Sequence, residues 1–200
     1  MIPAHIVTVG QNDEAILGTD DRALQAGIER LAAMGGGTLK IGPGTYRLRN
    51  ELHLRSHVRV EGSGEATILT TPASRRTRVV EDSDWWDDTL TVEDADGFDV
   101  GMAIFLEGKE TDYNQPVYAR YTIMGRQECR LQVDREFDKS IWREGNFTVV
   151  TTHSIIRGEH VQDIEIADLV IDGNRAENDP VNDNHGAAIF LQRCSDIRIE

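Results

Sequence analysis

The chain of 200 residues holds two cysteines, Cys129 and Cys194. Two thiols make neither a disulfide framework nor a zinc site, so both are expected as buried, inert side chains. No run approaches the roughly 18 apolar residues of a membrane span, and no membrane partner is expected. The opening Met1-Ile2-Pro3-Ala4-His5 lacks the basic and apolar regions of a secretory signal. There is no nucleophile elbow, no phosphate loop and no metal-spaced His/Cys cluster, so no reaction is announced by motif. Positive charge is scarce where it matters: residues 81–112 carry 12 acids against the single Lys109, within a net charge of −14. Such a surface repels nucleic acid, which removes DNA and RNA as expected partners. At 39% hydrophobic and 28% charged residues the composition suits a globular protein with a sizeable core.

What is present is patterned. "GTDDRALQAGIERLAAMGGG" predicts one amphipathic helix. Thr19 or Asp20 can cap it, and Asp20 and Asp21 favour its positive end. Leu24, Ile28, Leu31 and Ala32 share a face, and Gly35 ends the helix in a left-handed cap. The period then changes to two. Leu39 and Ile41, Tyr46 and Leu48, Leu52 and Leu54, and Val58 and Val60 form short alternations, and Ile68 begins a fifth. Glycine turns such as Gly42-Pro43-Gly44 separate them. No helix lies between these strands, so a doubly wound sheet is excluded.

The pattern returns later at a fixed interval. Ile164-Glu165-Ile166 after "HVQD" is repeated as Ile197-Arg198-Ile199 after "RCSD", 33 residues on, and Ile156 and Ile189 keep the same offset. Strand, turn, strand, turn at a long fixed offset is the pattern of a solenoid of β coils. A helix laid over an open first coil would cover its unpaired backbone.

Residues 18–64 and 153–200 carry a resemblance to a known group. "GTDDRALQAGIERLAAMGGGTLKIGPGTYRLRNELHLRSHVRVEGSG" resembles the cap and first coils of the pectate-lyase (pectin-lyase-like) superfamily, and "LVIDGNRAEND" with "AAIFLQRCSDIRIE" resembles its later coils. The resemblance implies an all-β fold, a right-handed, single-stranded parallel β-helix with an N-terminal capping helix. Residues 75–152 depart from the coil pattern, and their many alternating runs read as an inserted small β subdomain rather than as irregular long coils. Residues 1–74 are expected as cap and first coils and 75–152 as the insert of five or six strands. Residues 153–200 are expected as further coils continuing past Glu200.

The resemblance also implies action on a polysaccharide, as a lyase or glycoside hydrolase. A non-catalytic tailspike or adhesin module and a uronan C5-epimerase are the alternatives, because one scaffold hosts all of them. A secreted, periplasmic or cell-surface location goes with it. Polar outward phases favour a monomer.

Three clusters are candidate sites. The first is "IDGNRAENDPVNDNHG". Lyases and epimerases of uronic-acid polymers neutralise a carboxylate and remove the neighbouring proton. Arg175 would neutralise the uronate, Asp172 and Asp183 would hold Ca²⁺ or position substrate, Asn174 and Asn184 would bind sugar, and His185 would be the base. Asp179 and Asn182 lie in the same loop. An ordinary long turn uses these residue types for backbone reasons alone. The second cluster is "EDSDWWDDT". Trp85 or Trp86 would stack on a sugar ring, or the pair would anchor the insert. The third is Arg47, Arg49, Arg55 and Arg59, which would track an anionic polymer or form a solvated face. The aspartate set of polygalacturonase-like enzymes and the Tyr/Asp/His set of alginate epimerases have no convincing counterpart.

Overall fold

In the computed structural model, which describes residues 2–111, 114–180 and 187–200, the chain forms two units. One comprises residues 1–72 and 154–200, the other residues 73–153. Each has its own core.

In the first unit the chain passes repeatedly through three parallel sheets. Gly37–Ile41 lies in sheet I, Gly44–Arg47 in sheet II and Leu52–His53 in sheet III. Val58–Glu61 returns to sheet I and Thr67–Thr70 to sheet II. After the second unit the rotation resumes with Ile156–Glu159 in sheet III, Gln162–Ala167 in sheet I and Val170–Asp172 in sheet II. Ile189–Gln192 and Ser195–Ile199 then continue sheets III and I. All these pairings are parallel. The interval of 33 read from the sequence is the pairing register itself: Ile156 faces Ile189, and Ile164 faces Ile197. Val60, Ile166 and Ile199 stand side by side on neighbouring strands.

Alternation explains why the strands stack this way. Leu39, Ile41, Tyr46, Leu52, Val58, Val60, Leu69, Ile164 and Ile166 are buried in one cluster, while their odd-numbered or even-numbered neighbours face out. The outward residues of sheet I form ion pairs along and across strands: Arg59 joins Glu61 on its own strand and Glu165 on the next, and Lys40 reaches Glu61 at 3.5 Å. Arg55 pairs with Glu29 at 2.6 Å. Arg55 and Arg59 are therefore held by carboxylates of their own fold. The coil corners also recur. His57, Asp163 and Asp196 all adopt left-handed φ, at 65°, 59° and 55°. These are residue types that tolerate such a backbone. His57 Nδ1 lies 3.2 Å from Asp163 Oδ2, so two successive corners are also joined by side chains.

The helix is Asp21–Ala33, capped by Asp20, whose carboxylate accepts from Ala23 N at 3.1 Å. Leu24, Ile28 and Leu31 enter the coil core. Two strands before it, Ile6–Gly10 and Ile16–Leu17, were not expected. Ile6–Gly10 pairs along Gly37–Ile41, so that edge of sheet I is closed by backbone hydrogen bonds rather than by the helix alone. The helix instead packs its apolar face on the inner side of the sheet. The cysteines also depart from expectation. Both are free and only half-buried, with Cys194 Sγ 3.3 Å from Gly158 O.

His53 sits in sheet III beside Arg157, and burial pushes its imidazole below the ordinary value of 6.5. The folded state thus binds fewer protons than the unfolded chain as pH falls through that ordinary value. Stability contributed by neutral His53 is present above it and lost below it. The thermal midpoint of this unit is expected to drop between about pH 7 and pH 5, and His53→Gln is expected to flatten that slope. An unchanged slope in the variant would remove His53 as the cause.

The second unit is a six-stranded antiparallel sheet in spatial order Arg76–Arg78, Thr148–Val150, Ala103–Glu110, Gln115–Gln127, Arg130–Val133, Thr89–Thr91. Its pairings are all antiparallel and all internal to residues 73–153. Leu90, Phe98, Ile104, Leu106, Ile123, Leu131, Phe147 and Val149 fill its core.

Candidate functional site

The polar loop that the sequence singled out is built on backbone needs as far as it is described. Asp172 Oδ1 accepts from Asn174 N at 2.9 Å, closing a tight turn at a residue with left-handed φ of 45°. Asn174 Nδ2 donates to Thr71 O at 3.2 Å and to Glu177 Oε2 at 2.9 Å. Asn178 Nδ2 donates to Thr71 Oγ1 at 3.2 Å and to Asn174 O at 3.0 Å. These bonds pin the loop to the end of Thr67–Thr70. Asp172 and Asn174 are thus brought together, but by the turn they form. Arg175 is exposed, and Asp179 is half-buried. Asn182, Asp183, Asn184 and His185 lie outside the described residues. Among the described residues no group of three His, Cys, Asp or Glu is arranged to hold a metal ion.

The tryptophans present a different picture. The turn that carries them is rigid for local reasons. Asp84 N donates to Asp87 Oδ2 at 2.7 Å, Trp85 N to Asp84 Oδ1 at 3.0 Å, and Asp87 N to Asp84 O at 2.9 Å. Ser140 Oγ donates to the same Asp84 carboxylate at 3.1 Å. Ser83 and Ile141 exchange both backbone hydrogen bonds, at 3.0 and 2.8 Å, which sets Trp142 beside the turn.

Trp85 is 52% exposed and Trp86 67%, so neither is buried as an anchor. Their rings meet edge to face, 4.9 Å apart at 63°. Trp142, which sequence reasoning passed over, is 40% exposed. Trp85 and Trp142 line an open cleft of about 230 Å³ with Lys109, Glu110, Thr111, Asp138, Lys139 and Ser140. Lys139 Nζ pairs with Glu110 Oε2 at 3.2 Å. Lys109, the single base of the acidic 81–112 stretch, has no ion pair among the described residues.

Two indole faces with carboxylates, an ammonium and a hydroxyl around them suit a ligand with one apolar face and a polar rim. A pyranose ring has that character: its axial C–H groups meet an aromatic face, and its hydroxyls reach outward. The only sequence signal for Trp142 is its residue type. It stands 57 positions from Trp85, and only the antiparallel bridge brings the two rings to one cleft.

No family model matches the chain, and no curated protein matches it. Among solved structures it is similar to three phage tailspikes. With the tailspike of Acinetobacter baumannii bacteriophage AP22, in complex with A. baumannii capsular saccharide, it shares 9% identity at a TM-score of 0.37, over 88% of this chain and 34% of that one. With the tailspike of Pseudomonas phage phi297 the identity is 10% and the TM-score 0.39, over 89% and 41% of the two chains. With that of Pseudomonas phage LKA1 the values are 8% and 0.34, over 74% and 28%. The chain thus spans well under half the length of each, and likeness of this extent carries no functional argument.

Proposed function

We propose that this chain is part of a right-handed, single-stranded parallel β-helix protein that binds polysaccharide, with the tryptophan cleft of residues 73–153 as a contact site. One observation carries the reading: Trp85 and Trp142 are exposed across a cleft edged by Lys109, Glu110, Asp138 and Ser140. Exposed indoles lose area to water unless a ligand covers them, and a sugar ring is the common polar ligand with a flat apolar face. The three-sheet rotation supports the β-helix part, because a chain that returns to the same three sheets in the same order winds as a solenoid.

In this reading a sugar unit stacks on Trp85 and Trp142. Its hydroxyls donate to Glu110, Asp138 and Ser140 Oγ, whose own proton is given to Asp84, and Lys109 meets any acidic substituent. The protein acts as a secreted or cell-surface monomer. Cleavage, by β-elimination or hydrolysis, would draw on Arg175 and His185 of the polar loop, with calcium at Asp172 and Asp183.

The test is calorimetric titration of polysaccharides that the chain retains on an array, with Trp85→Ala and Trp142→Ala beside the wild type. Each substitution is expected to weaken binding about tenfold, equal to about 1.4 kcal/mol, and to leave the circular dichroism spectrum unchanged. Variants that bind as tightly as the wild type would end this assignment. Unsaturated-uronate absorbance and new reducing ends in the same mixtures, with and without EDTA, report cleavage and its calcium dependence.

A further inference from the structure

A second opening in residues 73–153 lies against the same turn. It is a broad polar groove of about 580 Å³. Its floor is made by two paired strands. Thr89 faces Gln132 and Thr91 faces Arg130, all on the side opposite buried Leu90 and Leu131. Glu81 and Asp87 also line it, and Glu81 accepts from Thr91 Oγ1 at 2.7 Å. Gln132 is oriented by donating to Asp88 at 2.8 Å. Arg130 is exposed and has no ion pair among the described residues. The floor therefore alternates donors and acceptors at cross-strand spacing, with no aromatic side chain in its lining. That is chemistry for hydroxyl groups rather than for a flat apolar face.

The groove and the tryptophan cleft share a wall. Ser83 lines the groove and Trp85 the cleft, two residues apart and so no more than about 7 Å along the chain. Asp82, the groove residue next to Ser83, accepts at 2.8 Å from Arg143 N of the facing segment, immediately after Trp142 of the cleft. Trp86, the most exposed of the three tryptophans, stands in the turn between Trp85 of the cleft and Asp87 of the groove.

We propose that cleft and groove are two subsites of one elongated oligosaccharide-binding surface. The cleft takes the apolar face of one sugar unit, the turn carrying Trp86 is crossed by the chain, and the groove holds the hydroxyls of the adjoining units. Arg130 and Gln132 donate there, and Glu81 and Asp87 accept. This rests on the polysaccharide reading above and adds a length requirement to it. Fragments too short to cross the turn use the cleft alone.

The experiment begins with a panel of dextran, alginate, pectate, hyaluronan and bacterial capsular polysaccharides. The polymer retained by the wild-type chain is cut into size-fractionated fragments, from disaccharide to octasaccharide, and each is titrated calorimetrically. Wild-type affinity is expected to rise with length and then level off. Arg130→Ala is expected to lower affinity about tenfold for the longest fragments and to leave the shortest unchanged, with Arg130→Lys recovering part of the loss. Trp85→Ala is expected to weaken every length. Groove variants that bind long fragments as the wild type does, or that lose short and long fragments equally, would overturn the two-subsite surface while leaving the cleft in place. A Trp85→Ala variant without effect, or a wild type that retains no polymer, would overturn the cleft and the elongated surface together.

Discussion

Gly36→Ala is expected to destabilise the unit of residues 1–72 and 154–200 by several kcal/mol, whereas Gly35→Ala, one residue earlier, should cost only about 1–2 kcal/mol. Both glycines have positive φ, at 86° for Gly35 and 118° for Gly36. Gly35 closes the helix: its N–H donates to Ala32 O at 3.0 Å, and a Cβ there would meet nothing within 4 Å. Its substitution therefore carries only the backbone penalty of a left-handed residue. Gly36 is wedged where the chain leaves the helix for sheet I. A Cβ on it would lie 2.4 Å from His57 O, 2.7 Å from His57 Cβ and 2.9 Å from Pro3 Cδ. Backbone strain of about 1–3 kcal/mol then adds to overpacking of similar size, and the neighbours include backbone that has no rotamer to give. Against a total stability of about 5–15 kcal/mol, the sum threatens the fold. Urea denaturation of the two variants measures the contrast. Equal midpoints would mean that the close approach at Gly36 is easily relieved.

Arg157→Ala is expected to cost about 3–5 kcal/mol, more than truncation of an ordinary surface arginine. Its guanidinium lies 3.1 Å from Glu51, whose side chain is 5% exposed, and 2.5 Å from Glu159. It also covers the Phe190 ring at 5.3 Å. Arg157 belongs to the coil before Phe190 and the coil after His53, so the pair joins three turns of sheet III. Removing the arginine leaves a desolvated carboxylate, which also accepts from Ser154 N at 3.3 Å. The double variant Glu51→Gln/Arg157→Met is expected to recover most of the loss, because it removes the charge along with its partner. A single variant as stable as the wild type would show that solvent reaches Glu51 freely.

Much of the first unit could be read before folding, and the reason is local. Each coil is short, its alternation is set by neighbours two residues apart, and the last returns to sheets III and I share one offset. The interval that pairs Ile164 with Ile197 is thus visible as plain spacing. The helix with its Asp20 cap and its Gly35 exit is equally local. The strands Ile6–Gly10 and Ile16–Leu17 were less legible. Their short apolar runs gain meaning only from the partner edge at Gly37–Ile41.

The candidate site divides the same way. The polar loop was conspicuous in composition, but Asp172, Asn174 and Asn178 spend their hydrogen bonds on the turn and on Thr71. Trp85 and Trp86 were conspicuous as an adjacent pair. Lys109 stood out as the single base of residues 81–112, but Trp142, Arg130 and Gln132 were not conspicuous, since nothing in their own neighbourhoods distinguishes them from other surface residues.

The order of residues alone determined the capping helix, the turn-by-turn alternation and the 33-residue interval of the last strands, because each depends on contacts a few residues apart or on local repetition. Only the tertiary structure decided which exposed side chains share a cleft. Antiparallel pairing in residues 73–153 brings Trp142 into one cleft with Trp85 and sets Arg130 against Thr91, and such long-range register is chosen by the burial of the whole sheet rather than by any segment within it.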